Sequence, residues 1–160
     1  LNQVFVLLGS NLGPRQVIIK KAADALLERV GSGGQVSSLY ESAPWQMDSN
    51  HPFINQVLWL QSSVTLTEFW AACRQIEKQY PRKIQKDRYL DRYLDIDLLF
   101  WNDEVVQSEQ LNIPHPRLAE RRFALLPLCE LAPHWVHPQL QMTVQNVLDQ
   151  CQDSSRVRKL

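Results

Sequence analysis

The chain has 160 residues, 44% of them hydrophobic, which suits one domain over 1–160 built on a single core. Its 17 basic and 17 acidic residues cancel, so no long-range field draws in nucleic acid or an anionic membrane, and no apolar run approaches the roughly 20 residues of a membrane helix. Three widely spaced cysteines, Cys73, Cys129 and Cys151, lack any CxxC pairing; this argues against a disulfide framework or zinc site and predicts a soluble protein of the reducing cytoplasm.

In chain order, Gln3 to Gly9 is a Val- and Leu-rich run that predicts a strand, ended by the turn formers Gly9-Ser10-Asn11-Leu12-Gly13-Pro14. From Pro14 the apolar positions Val17, Ile18, Ala22, Ala25, Leu26 and Val30 follow helical spacing, until Gly31 and the Gly33-Gly34 pair stop it. Val36 to Ser42 and Phe53 to Ser63 predict strands, separated by an irregular segment with Pro44, Asn50 and Pro52 that is a candidate binding element. Thr65-Leu66-Thr67-Glu68 matches a capping box and opens a second helix to about Tyr80, where Pro81 limits it. Arg82 to Arg92 lacks an apolar face and has the length of a functional lid, although its tandem Asp87-Arg88-Tyr89-Leu90 and Asp91-Arg92-Tyr93-Leu94 would equally suit a helical turn. Tyr93 to Trp101 is the clearest strand, and Asn102-Asp103 predicts a hairpin turn into Glu104-Val105-Val106. Helical spacing returns over Phe123 to Leu131, despite Pro127, and over Thr143 to Gln150; residues 153–160 are expected to form a frayed tail. Hairpin-like neighbours mixed with helices, without regular βαβ alternation, predict an α+β domain with a mainly antiparallel sheet.

The chemistry concentrates in Leu94-Asp95-Ile96-Asp97-Leu98, where alternation buries the three apolar residues and sets both aspartates on the other face. Their α-carbons would lie about 7 Å apart, and at an effective dielectric near 20 the charges repel by roughly 2 kcal/mol, which a bound magnesium pair would reverse. Such hard oxygen ligands select magnesium or calcium, although an isolated Asp-x-Asp is more often the polar face of a half-exposed strand. The cations around it point to phosphate: Arg82, Lys83, Lys86, Arg88 and Arg92 precede the aspartates, and Arg117, Arg121 and Arg122 follow His115. Lys83 and Lys86 read as solvated charges, whereas Arg82 and Arg92 are the better phosphate donors. His115, held between Pro114 and Pro116, is either a phosphate donor or a surface histidine.

Across nearly its whole length the chain resembles the hydroxymethyl-dihydropterin pyrophosphokinases of folate biosynthesis. The resemblance rests on Gly9-Ser10-Asn11-Leu12, Phe53-Ile54-Asn55, Arg92-x-Leu94-Asp95-Ile96-Asp97, Pro114-His115-Pro116-Arg117, Glu120-Arg121-Arg122-Phe123 and Pro127-Leu128, in that order. It implies a ferredoxin-like core in a three-layer αβα arrangement and transfer of the β,γ-diphosphate of ATP to the hydroxymethyl oxygen of 6-hydroxymethyl-7,8-dihydropterin, releasing AMP. The implied cofactor is two magnesium ions held by Asp95 and Asp97, the substrates are ATP and a pterin alcohol, and the protein is expected to be a monomer. By position, Arg82 and Arg92 look like the loop arginines that reach the phosphates, His115 and Arg121 like ATP-phosphate contacts, and Glu77 and Arg88 like further nucleotide-site residues. Phe53 and Phe123 resemble an aromatic sandwich for the pterin, Asn55 reads its edge, and groups near Ser42 and Trp45 complete the set. The chain departs from the family before Arg92: Tyr89-Leu90-Asp91 stands where a Trp-Gly-Pro-like stretch is usual, which adds a negative charge near the expected phosphates. Two rival readings are a degenerate relative that binds ATP or pterin without turnover, motivated by that departure, and a two-metal nucleotide hydrolase.

Overall fold

Strict alternation in the first strand creates two cores. In the computed structural model, which describes residues 1–43, 50–81 and 91–160, β1 (Asn2–Ser10) leads into α1 (Arg15–Val30). Then follow β2 (Ser32–Val36), β3 (Tyr40–Ser42), β4 (Phe53–Ser62), α2 (Leu66–Glu77) and β5 (Asp95–Trp101). The chain continues through β6 (Val106–Gln107), β7 (Asn112–Ile113), a 3-10 turn at Leu118–Glu120, α3 (Arg122–Leu131), β8 (Val136–His137), β9 (Met142–Thr143), α4 (Val144–Gln150) and β10 (Val157–Lys159). Val4, Val6 and Leu8 of β1 pack with α1 and α2, while Phe5 and Leu7 pack with α3 and α4, so the sheet is covered on both faces.

The sheet runs β10-β3-β4-β1-β5, every pairing antiparallel, with β2 also on β4. The βαββαβ order of its core strands is ferredoxin-like, and the helices make the three-layer αβα arrangement. As expected from alternation, Leu94, Ile96 and Leu98 are buried in the α1/α2 core. A register shift opposite Phe5/Val6 then lets both Leu99 and Phe100 reach the α3/α4 core. Thr65 caps α2 by accepting the Glu68 N–H at 3.2 Å, and Thr143 caps α4 by accepting the Asn146 N–H at 3.2 Å.

Several local expectations fail where tertiary contacts decide. The strand expected over Val36 to Ser42 is two strands, because Ser37 turns its hydroxyl to the Ser38 carbonyl and accepts the Val57 N–H. The hairpin expected after Asn102-Asp103 does not form: Val106-Gln107 pairs with Asn112-Ile113 rather than with β5. Val17 faces solvent, and Ile19 and Ala23 join the expected Ile18, Ala22 and Leu26 in the core face of α1, while α2 ends at Glu77 rather than Tyr80. The expected frayed tail is instead an edge strand, with Val157 opposite Ser42 and Lys159 opposite Tyr40. Apart from Asp91 and Arg92, the expected lid over Arg82 to Arg92 lies outside the described residues, as does Trp45. Among the described residues, no helix is long and apolar enough to cross a membrane.

Candidate active site

Register brings together residues far apart in the chain. Asp95 of β5 stands opposite Gly9 of β1, and Gly9 stands opposite Asn55 of β4, so one row across the sheet carries an acid, a glycine and an amide. Two strand spacings put Asp95 and Asn55 about 10 Å apart on the same face. Gly9 allows a close approach: a Cβ there would sit 3.2 Å from Asn55 Oδ1, so the amide would have to shift, and 3.6 Å from the Phe53 ring. Beyond the end of α3 this face is open, forming a cavity of about 420 Å³.

Nine of the expected site residues line that cavity: Ser42, Phe53, Asn55, Arg92, Asp95, Asp97, His115, Arg121 and Phe123. Trp45, Arg82 and Arg88 lie outside the described residues. Glu77 is absent from the cavity lining; it is 2% exposed and pairs with Arg74, which donates to the Ile96 carbonyl at 2.6 Å, and its charge adds to that of Asp95 on the Asp97 carboxyl. Asp91 is also absent from the lining, and its carboxylate accepts the Asn11 amide N–H at 2.8 Å. Gly9 and Arg117 do line it, without having been singled out for a role there. Gly9 was legible within Gly9-Ser10-Asn11-Leu12, but only the register shows what its missing side chain permits.

The two walls differ in chemistry. On the acidic side, Arg92 Nη1 donates to Asp95 Oδ1 at 2.8 Å, and Arg121 Nη1 stands 3.8 Å from Asp97 Oδ2. Burial, and next the charge of Asp95, push the Asp97 carboxyl well above its ordinary range despite Arg121. Burial, and next the positive Arg121, lower His115 to about 4, so its ring is neutral at pH 7. His115 Nδ1 accepts the Arg117 N–H at 3.1 Å, which leaves Nε2 carrying the proton of the neutral ring, a donor suited to an anionic oxygen.

On the other wall, Asn55 Nδ2 donates to Ser42 Oγ at 3.0 Å. That bond orients the amide, and Asn55 Oδ1 remains on the Gly9 side as an acceptor. Phe53 and Phe123, both half-buried, line the cavity beside it, and the Arg121 guanidinium lies 5.7 Å from the Phe123 ring centre.

The acidic pair fits a divalent cation. Two adjacent hard-oxygen ligands, one with its charge disfavoured by burial and by the other, gain from a cation between them. Among the described residues no group of three or more His, Cys, Asp or Glu side chains gathers to hold a metal. A two-carboxylate site completed by phosphate oxygens and water is the arrangement magnesium favours.

An α+β domain with a cleft that sets an arginine-flanked acid pair against an aromatic and amide wall has the makings of a phosphoryl-group transferase for a flat ring substrate. Sequence comparison narrows the class: residues 5–133 match the 7,8-dihydro-6-hydroxymethylpterin-pyrophosphokinase family, and the chain belongs to it. It is 38% identical over 139 residues to the 2-amino-4-hydroxy-6-hydroxymethyldihydropteridine pyrophosphokinase of Porphyromonas gingivalis, covering 85% of this chain and 94% of that one. It is 34% identical over 153 residues to the folic acid synthesis protein fol1 of Pneumocystis carinii, covering 94% of this chain but 20% of that one. The fold is similar to the crystal structure of wild-type Plasmodium falciparum HPPK-DHPS, with a TM-score of 0.72 at 16% identity over 92% of this chain and 44% of that one.

Proposed function

We propose that the chain transfers the β,γ-diphosphate of ATP to the hydroxymethyl oxygen of 6-hydroxymethyl-7,8-dihydropterin, releasing AMP, as a step of folate biosynthesis. The observation that carries this reading is that Asp95 and Asp97 open onto the same cavity as Phe53, Asn55 and Phe123. A phosphate-handling group and a ring-reading group thereby share one space, as attack of the ring's alcohol on a nucleotide phosphorus requires.

The bond formed joins the hydroxymethyl oxygen to the β-phosphorus, and the bond broken joins that phosphorus to the α,β-bridging oxygen, which leaves with AMP. Asp95 and Asp97 are the residues that would hold magnesium, two ions by family position; bound there, the metal supplies neutralisation of phosphate charge and acidifies the attacking alcohol. Arg92 and Arg121 stand ready to take up phosphate charge, joined by family position by Arg82 and Arg88. His115 Nε2–H donates to a phosphate oxygen. Phe53 and Phe123 sandwich the pterin, while Asn55 Oδ1, Ser42 and groups near Trp45 read its polar rim. The attack is in line, without a covalent enzyme intermediate. The protein is expected to act as a monomer, and its three free thiols suit the reducing cytoplasm.

Incubation with magnesium, ATP and the pterin alcohol, scoring AMP against ADP, tests this reading. AMP formed only in the presence of the pterin is the expected result; ADP, or nucleotide cleavage independent of the pterin, would overturn it.

A further inference from the structure

The turn after β1 holds a buried polar side chain that backs the acidic wall without itself lining the cavity. Asn11 is 3% exposed and does not line the site, yet its amide is fully engaged. Nδ2 donates to Asp91 Oδ1 at 2.8 Å and to the His51 carbonyl at 3.2 Å. Oδ1 accepts the Arg92 N–H at 2.6 Å, and the Asn11 N–H donates to the Arg92 carbonyl at 3.0 Å. Asp91 in turn stands 3.8 Å from His51 Nε2. One side chain thus joins the residues that follow stretch 44–49 to those that follow stretch 82–90.

Only an amide serves all three side-chain contacts, since two require donors and one an acceptor; a carboxylate cannot donate and would also meet Asp91 as a like charge. The contacts converge on Arg92, whose backbone is gripped at both its N–H and its C=O, three residues ahead of Asp95. The Arg92 guanidinium reaches Asp95 at 2.8 Å from that fixed origin. Asp91, the residue that departs from the family pattern, is the acceptor for one Asn11 donor.

We infer that Asn11, with Asp91 as its counterpart, is a positioning residue for diphosphate transfer: it sets the backbone origin of Arg92, and so the placement of the arginine against the metal-binding carboxylates. This rests on the proposed reaction, and it places Asn11 outside the set of residues that touch substrate. A misplaced Arg92 costs the phosphate side and spares the pterin wall, because neither Asn11 nor Asp91 lines the cavity beside Phe53, Asn55 or Phe123.

The test compares Asn11→Ala, Asp91→Ala, Asn11→Asp, and Asn11→Asp combined with Asp91→Asn. Each is measured for kcat, for pterin KM, and for affinity toward a non-hydrolysable ATP analogue with magnesium. Asn11→Ala is expected to lose about tenfold to a hundredfold in kcat and to bind the analogue more weakly, with pterin KM within about twofold of wild type. Asn11→Asp should be at least as impaired, and adding Asp91→Asn should restore part of the loss, because donor and acceptor then exchange sides between positions 11 and 91 while the His51 carbonyl stays without its donor. Should Asn11→Ala fail to fold, Asp91→Ala at its half-buried position decides, with an expected loss of about threefold in kcat. Unchanged kcat and analogue affinity, equal losses on the pterin and nucleotide sides, or no recovery in the double variant would each overturn the inference. A wild-type protein that releases no AMP overturns the reaction instead, and analogue affinity, which needs no turnover, still decides the role of Asn11.

Discussion

Arg92 and Asp95 form an ion pair at 2.8 Å across a single turn of chain, so the arginine best placed to reach phosphate rests on a carboxylate proposed to bind magnesium. The pair shields part of the acid pair's charge before any cation arrives. Asp97 has the weaker compensation: Arg121 is 3.8 Å away, and burial opposes its charge. The two aspartates therefore hold different positions in one site, and substitutions at them separate metal binding from folding.

Asp97→Ala is expected to cut AMP release by at least about a hundredfold at saturating magnesium, a loss typical of removing direct charge stabilisation from a transferring group. It should leave thermal stability at or above that of wild type, because it removes a carboxylate whose charged form the folded state disfavours. Rates near wild type in a stopped AMP assay would remove Asp97 from the metal site.

Phe53→Ala and Phe123→Ala should each weaken pterin binding by about tenfold, the scale of losing one aromatic stacking face, with little change in affinity for a non-hydrolysable ATP analogue. Calorimetric titration of each ligand separates the two effects. Equal weakening of both ligands would mean that the rings serve the α3/α4 core rather than the pterin wall.

Truncation after Gln152 removes β10 and with it the Arg158–Glu41 ion pair at 3.0 Å, the Lys159–Glu130 contact at 3.6 Å and the Leu160 N–H to Leu39 bond. Because β10 backs Ser42, and Ser42 orients Asn55, the shortened chain should melt about 5 °C lower and bind the pterin more weakly. A truncated protein with unchanged melting and pterin affinity would show that the edge strand contributes nothing to the site.

Glu130 joins α3 to the sheet edge: its carboxylate accepts the Ser38 N–H and the Tyr40 hydroxyl, each at 2.7 Å. Burial alone would raise this carboxyl, but those bonds and Lys159 outweigh it and hold the group below its ordinary value of 4.5. A depressed native value means the unfolded chain binds the proton more readily, so the Glu130 contribution is complete above the ordinary value and is lost as pH falls through the native one. Glu130→Gln should therefore lower stability by roughly 1–2 kcal/mol at pH 7, and the gap from wild type should close on acidification below about pH 4.5. Denaturant melts of both proteins across pH 3 to 7 measure that gap, and one that does not narrow with acid would contradict the assignment.

Local pattern was enough for β1, β4, β5 and the four α-helices among the described residues, since alternation or helical spacing with a cap or a Gly or Pro stop is written into contiguous residues. It was enough as well for the acid pair, because two aspartates flanked by Leu94, Ile96 and Leu98 must share a face wherever that strand lies. Pairing across long separations was beyond its reach. Val157 to Lys159 carry too weak an apolar pattern to announce a strand, and become one only because β3 offers a free edge. The Gly9 row that sets Asp95 opposite Asn55 and the grip of Asn11 on Arg92 both depend on register and packing between segments dozens of residues apart. Such contacts are chosen by the whole core at once, by which faces bury together and which polar groups then find partners, and no short window of residues contains that information.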